Sequence, residues 1–344
     1  MKRFLSIFLT AAMLLSTAPM TFADEVTDEN KIIAVEESAA EPSDDENIEE
    51  QADMQTEKNE IALFADDSSE YEVQYSINGS TWIGSTLAEA VTAIGTGTGT
   101  IKVLNDVTVS AEIKITGNVI LIADGKDVTI KRASTFVEKK DSSGWGANDV
   151  YAHLFSVENG ATLTLGTSEE SQNNLIIDGG AIWPDTYPDK NINKGPHQSI
   201  NNDASNNSGL KSTGCLIVND GTLNMYNGVV LQNNHNITEF DYAGTAVINH
   251  KIFNMYVGKI WKNSSFSVDG LGGAVANGVG KKKVYNDAVF NMYGGEISYN
   301  AAGVGAAVTV GNVDVHTSTA KFTMFGGVIT KNYTAGNETD AGEP

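Results

Sequence analysis

The chain holds one cysteine among 344 residues, Cys215, so no intrachain disulfide is available to hold the fold. Cys215 lies in the apolar run GCLIV (214–218), which predicts a buried small hydrophobe and not a nucleophile. Basic residues are scarce: 22 Lys and Arg against 44 Asp and Glu give a net charge of −22. Binding a phosphate backbone needs clustered cations, so nucleic acid is excluded as a partner. Beyond the first 23 residues no stretch approaches the roughly 20 apolar residues of a transmembrane helix. The five histidines, 153, 197, 235, 250 and 316, are far apart and none has metal-ligand spacing. No metal and no other cofactor is expected, and no motif points to Ca²⁺. Prolines beyond residue 42 occur only at 184, 188, 196 and 344, outside every strand proposed below.

What is present begins with a basic start (MKR), an apolar run over 4–15 and a small-residue site, TFA, ending at Ala23. That is the pattern of a secretory signal peptide over 1–23, cleaved near Ala23. It predicts an extracellular protein, secreted or associated with the cell wall. Residues 24–70 hold 18 Asp or Glu against Lys31 and Lys58, or −16, with few apolar residues. Such a segment buries too little to offset its ordering entropy and is expected to be a disordered acidic linker. Residues 71–98 read as an N-terminal cap. There Leu87, Val91 and Ile94 share a helical face, and Thr86 with Glu89 has capping-box spacing. The glycine–threonine run at 95–99 lacks the lysine of a phosphate loop and reads as a turn.

Four segments can be superimposed: TLNMYNGVV (222–230), IFNMYVGKI (252–260), VFNMYGGEI (289–297) and KFTMFGGVI (321–329). Their methionines are 30, 37 and 32 residues apart, a period that marks a solenoid built from units unable to bury an apolar face alone. Earlier strand-like pieces lie at 101–104, 107–115, 118–122 and 128–130. Each later unit is expected to carry three strands. One precedes the methionine segment (216–218, 246–248, 274–276, 307–310), one is that segment, and one follows its glycine. Positions i and i+2 share a strand face, so Leu223, Phe253, Phe290 and Phe322 should point inward with Met225, Met255, Met292 and Met324. A column of Asn233, Asn263, Asn300 and Asn332 is expected to serve the structure, since stacked amides at a bend satisfy buried backbone groups. A parallel β-helix over 99–335 is the simplest closed answer. A long insertion over 182–213 and shorter ones at 138–150, 281–287 and 314–319 interrupt it. The tail, 336–344, has no closing helix or strand, which points to a truncated reading frame or a parent with further coils.

These repeats, with GATLTL (160–165) and LIIDGG (175–180), resemble right-handed parallel β-helix proteins of the pectin-lyase-like type. The likeness is greatest to adhesin-like surface proteins of Gram-positive gut bacteria, and it covers about residues 71–335. It implies an all-β, right-handed parallel β-helix solenoid with a short N-terminal capping helix. The superfamily includes polysaccharide lyases, glycoside hydrolases and non-enzymatic surface proteins, so fold alone does not fix activity.

Lyases of this type typically use a basic residue, often Arg, with Ca²⁺ held by an acidic cluster. The only arginine beyond the leader is Arg132, with no acidic cluster beside it in sequence, and it reads as a solvated strand-end residue. Glycoside hydrolysis requires two carboxylates at a defined separation. Asp178, Asp185 and Asp189 flank Trp183 and are the catalytic candidates, although Asp178 precedes two glycines at a turn that favours local hydrogen bonding.

A binding face is simpler to build. With Phe and Met inward, Asn224, Asn254 and Asn291 point outward, as do Tyr226, Tyr256 and Tyr293. Amides and rings together suit sugars, although such ladders also stabilise stacked β-structure without any ligand. Trp183, Tyr187 and Trp145, on the insertions, form a second candidate surface. The sequence thus predicts an adhesin-like module contacting a polysaccharide or glycoprotein surface without catalysis, as a monomer or part of a longer chain. A polysaccharide-degrading enzyme with its site near 183–213 is the alternative.

Overall fold

The computed structural model describes residues 70–136, 139–140, 150–151, 153–169, 173–181, 214–236, 246–265, 272–279, 285–311 and 318–334, all within one compact unit. The leader, the acidic linker up to residue 69, the 182–213 insertion and the tail lie outside the described residues.

Short strands fall into parallel sheets in which sequence order becomes stacking order. The methionine segments Thr222–Met225, Ile252–Met255, Val289–Met292 and Lys321–Met324 follow Thr98–Val103, Asn118–Ala123 and Thr162–Leu165 in one nine-stranded sheet. A seven-stranded sheet runs from Val107–Val109 through Val128–Arg132, Leu175–Asp178, Val229–Gln232, Lys259–Trp261 and Glu296–Ser298 to Val328–Thr330. A six-stranded sheet runs from Ile113–Ile115 through Phe155–Val157, Ile217–Asn219, Val247–Asn249 and Val275–Asn277 to Val308–Val310. Each turn of the chain adds one strand to each of these sheets, an all-β arrangement consistent with a β-solenoid. Among the described residues no helix is long and apolar enough to cross a membrane.

Alternation within the methionine strands sets the core. Leu223, Met225, Phe253, Met255, Phe290 and Met292 are fully buried, while the residues between them are half-buried on the outer face. Pairing is in register, Phe253 with Phe290 and Met255 with Met292. The Phe253–Phe290 and Phe290–Phe322 rings stack at 4.6 and 4.8 Å. That separation matches the strand spacing of about 4.7–4.9 Å, so the side-chain stack follows from the backbone ladder.

The glycine of each repeat has its own geometric cause. Gly258, Gly295 and Gly327 turn the chain between sheets at φ +99°, +87° and +91°. A Cβ on Gly295 would stand 2.5 Å from the Gly258 carbonyl oxygen and 2.6 Å from Met255 Cε. Methionine in one coil and glycine in the next therefore belong together. Gly295→Ala is expected to destabilise by about 2–4 kcal/mol, from left-handed strain plus overpacking. Gly125→Ala, at φ +76° but with nothing within 4 Å of its Cβ, should lose only about 1 kcal/mol. Equal urea midpoints for the two variants would contradict the packing argument.

The cap has the expected helix, Leu87–Ile94, entered through Thr86 and Glu89 as a capping box. Hydrogen bonds from the Thr86 hydroxyl and amide hold the Glu89 carboxyl below its usual range. Leu87, Ala90, Val91 and Ile94 are buried, and the helix packs against Val73–Ser76, Thr98–Val103 and Ile113–Ile115. At the other end Met324 is 44% and Ile329 36% exposed, whereas Met292 and Ile297 one coil earlier are fully buried.

Several expectations need correction. The run 107–115 is two strands, Val107–Val109 and Ile113–Ile115, in different sheets, because a bend at 110–112 turns the corner. The strands before the methionine segments begin one residue later than expected, at Ile217, Val247, Val275 and Val308. Val73–Ser76 and Ile83–Ser85 extend the methionine sheet as antiparallel strands. From His235–Asn236 onward a fourth, two-residue strand joins each coil, pairing with Ser264–Ser265, Ala301–Ala302 and Tyr333–Thr334. The amide column starts at Asn234, not Asn233. Asn233, Lys262, Tyr299 and Lys331 adopt φ of 51° to 55°, and that left-handed step turns the following Asn inward.

Candidate functional site

The outer face of the methionine sheet brings together six of the sequence-predicted residues in two columns. In the first, Asn254 Nδ2 donates to Asn224 Oδ1 and Asn291 Nδ2 to Asn254 Oδ1, both at 3.0 Å. Asn224 continues the series to Thr164 Oγ1 at 3.3 Å. An amide has two N–H donors and the ladder uses one of each, leaving a donor per coil for water or a sugar hydroxyl.

In the second column Tyr226, Tyr256, Tyr293 and Phe325 stack at 4.5, 5.0 and 4.9 Å, with planes 11°, 8° and 7° apart. This geometry changes what the rings can offer. Their faces are turned toward one another, so the column presents edges and hydroxyls, and the open end belongs to Phe325, 65% exposed. Burial, with the Tyr226 phenol alongside and hydrogen-bonded to it, pushes the Tyr256 phenol up.

Of the carboxylate candidates, Asp185 and Asp189 lie outside the described residues, as do Trp183, Tyr187 and Trp145. Asp178 is 8% exposed and accepts from Gly180 N at 2.7 Å, Gln232 Nε2 at 2.9 Å and Asn233 Nδ2 at 2.8 Å. The Gly180 bond is the local turn interaction its sequence suggested.

Arg132 contradicts its expected solvated position: it is 3% exposed. Its guanidinium donates to Asn234 Oδ1 at 2.6 Å, Cys215 O at 3.1 Å and Gly179 O at 3.3 Å. Burial lowers its pKa to about 10, opposed by Cys215 and Asp178, so it remains a cation at neutral pH. The reason for its position is visible in the amide ladder. Asn234 N donates to the next coil's amide oxygen, Asn263 Oδ1 at 3.1 Å, and Asn263 N and Asn300 N donate to Asn300 Oδ1 and Asn332 Oδ1 in the same way. Below Asn234 stands Gly179, whose added Cβ would lie 2.5 Å from Asn234. Arg132 thus supplies the donor for Asn234 Oδ1 where the ladder has no earlier Asn.

Cys215 is fully buried, and burial pushes its thiol up to about 12, as suits a small hydrophobe. Its Sγ is 3.2 Å from His153 Nδ1. His235 pairs with Ser264 at 2.6 Å, and His250 bridges Asp220 and the Val279 carbonyl at 2.9 and 3.1 Å. His197 and His316 are outside the described residues. Among the described residues no group of three or more His, Cys, Asp or Glu could hold a metal.

One surface cluster escaped sequence reasoning. Trp261 Nε1 donates to Gln232 Oε1 at 2.7 Å, and the Lys259 and Lys262 ammoniums stand 4.7 and 4.5 Å from the indole centroid. Tyr299 meets Trp261 edge-on, with centroids 6.4 Å apart, and carries Lys331 Nζ 5.1 Å from its own ring centroid. The aromatic and basic letters just before Asn263, Asn300 and Asn332 were the available signal.

The fold and these columns define an all-β chain of stacked parallel strands, β-helix-like, with repeated polar and aromatic columns outside. No family model, curated protein or solved structure matches it.

Proposed function

We propose that this chain is an adhesin-like module of a secreted or cell-surface protein, a right-handed β-helix of pectin-lyase-like type that binds glycan or glycoprotein surfaces without catalysis. The observation that carries the reading is the pair of outward columns, amides at 224, 254 and 291 beside rings at 226, 256, 293 and 325. Their repeat matches the strand spacing, so a chain of sugars lying along the stack meets the same donor and ring edge in coil after coil. Recognition would rest on hydroxyls meeting amides and phenols along ring edges, with one open ring face at Phe325. The hydrogen bonds already occupying Asp178 support the non-catalytic side of the reading.

Tyr256→Ala combined with Tyr293→Ala is the direct test, read by retention on immobilised plant, mucin and bacterial polysaccharides alongside thermal melting. Retention should fall about tenfold or more, as for loss of two contacts near 1 kcal/mol each, with folding preserved. Unchanged retention, or loss of folding with loss of binding, would assign the columns to stability alone. Release of new sugar ends by the unmodified protein would refute the non-catalytic reading.

A further inference from the structure

The chain is strongly acidic, yet one corner of the stack gathers lysines among the described residues. After each of the last four strands of the seven-stranded sheet, one left-handed residue turns the chain before the inward ladder Asn. Lys262, Tyr299 and Lys331 occupy that position in three successive coils. With Lys259 they place three ammoniums around Trp261 and Tyr299. The carboxylate among them is Glu296, which Lys259 meets at 3.3 Å. Asp178, earlier in the same sheet, is buried and accepts three hydrogen bonds. Among the described residues this corner gathers three ammoniums and one carboxylate, in a chain of net −22.

The rings also differ from the tyrosine column. Trp261 and Tyr299 meet edge to face at 78°, so the pair is not stacked and only one ring has a face against the other's edge. The contacts over the indole are ammoniums, Lys259 and Lys262, while Lys331 Nζ donates to the Tyr299 hydroxyl at 2.7 Å. A lysine side chain is flexible and can move its charge to a ligand while the ring takes an apolar face. A flat ring with cations at its margin matches a saccharide that has an apolar C–H face and an anionic substituent.

We propose that this corner is a second contact, distinct from the tyrosine column, for an acidic saccharide whose ring rests on Trp261 or Tyr299 and whose carboxylate or sulfate group sits between Lys262 and Lys331. The inference rests on the glycan-binding reading above and adds the charge of the ligand.

The test uses the full chain with four probes at one ionic strength: chondroitin sulfate, desulfated chondroitin, dextran and polyglutamate. At least one chondroitin form should bind about tenfold more tightly than dextran and polyglutamate. Lys262→Glu with Lys331→Glu should remove that preference while melting stays native, and Lys262→Gln with Lys331→Gln should weaken it even if the reversed variant folds poorly. Binding kept after desulfation assigns the carboxylate; binding lost assigns the sulfate. Equal binding of dextran, polyglutamate held as tightly as the saccharides, no binding of either chondroitin, or a folded lysine variant with unchanged preference would each overturn the proposal. If dextran is held equally and released by the Tyr256 and Tyr293 substitutions, the tyrosine column stands and the acidic preference falls.

Discussion

Asn263→Ala is expected to lower stability by about 3–5 kcal/mol, read as a fall in the urea midpoint. The side chain is fully buried and sits at the centre of a hydrogen-bonded column. Its Nδ2 donates to Leu231 O at 3.2 Å, Trp261 O at 3.1 Å and Asn300 Oδ1 at 3.0 Å. Its Oδ1 accepts from Asn234 N at 3.1 Å. Truncation leaves that amide without its acceptor in a place water does not reach, where each orphaned polar group costs about 1–3 kcal/mol. Asn254→Ala removes an amide from a ladder of the same spacing on the half-exposed outer face. There water can replace what is lost, and the change should be about 1 kcal/mol or less. A similar midpoint shift for the two variants would show that burial does not distinguish the inner column from the outer one.

Arg132→Met should be comparably severe, about 3–5 kcal/mol, because it removes one side of a buried charged network. Methionine fills part of the volume but donates nothing, so Gly179 O, Cys215 O and Asn234 Oδ1 all lose a partner. Arg132→Lys keeps the charge but not the planar fork that serves three acceptors at once, and should fall between wild type and Arg132→Met. Melting of Arg132→Met at the wild-type temperature would end the view of Arg132 as the terminator of the amide column. Because the three acceptors belong to different segments, the loss should also loosen the chain on both sides of the 182–213 insertion. Faster proteolysis there, without a change at the cap helix, is the accompanying signature.

What could be read in advance depended on whether a residue's neighbours were near it in sequence or in the repeat. Met255 and Phe253 were legible because strand alternation and the recurring letters agree, and burial followed both. Tyr256 and Asn254 were placed on the outer face by the same alternation. Their consequence was not legible, since only the 4.5 to 5.0 Å ring separations reveal that the faces are turned inward on the stack. Asn233 was taken for Asn234 because both letters are Asn, and only the backbone φ of 52° separates the turning residue from the ladder residue. Arg132 was legible as a strand end but was wrongly placed in solvent, because its side-chain partner Asn234 is 102 positions away. A second buried ladder, Asn219 to Asn249 to Asn277 at 2.7 Å each, ends the strands of the six-stranded sheet and went unread beneath the stronger methionine pattern. Trp261 occurs in one repeat alone, so periodicity was silent about it.

The uneven burial at the two ends sets an order for opening. Backbone bonds between coils run along the stack, as in Tyr256 N to Met225 O at 2.9 Å and Tyr293 N to Met255 O at 2.8 Å. An interior coil is gripped from both sides, whereas the coil of Lys321–Met324 and Val328–Thr330 is gripped from the Val289–Met292 side. Its Phe322 and Met324 also contribute less apolar burial than Phe290 and Met292 do. A fragment ending at residue 334 should therefore lose coils from this end, one after another, while the helix-capped end stays closed. The tyrosine column would then shorten ring by ring, from Phe325 back toward Tyr226, and any ligand spanning several rings would act as a clasp against that peeling.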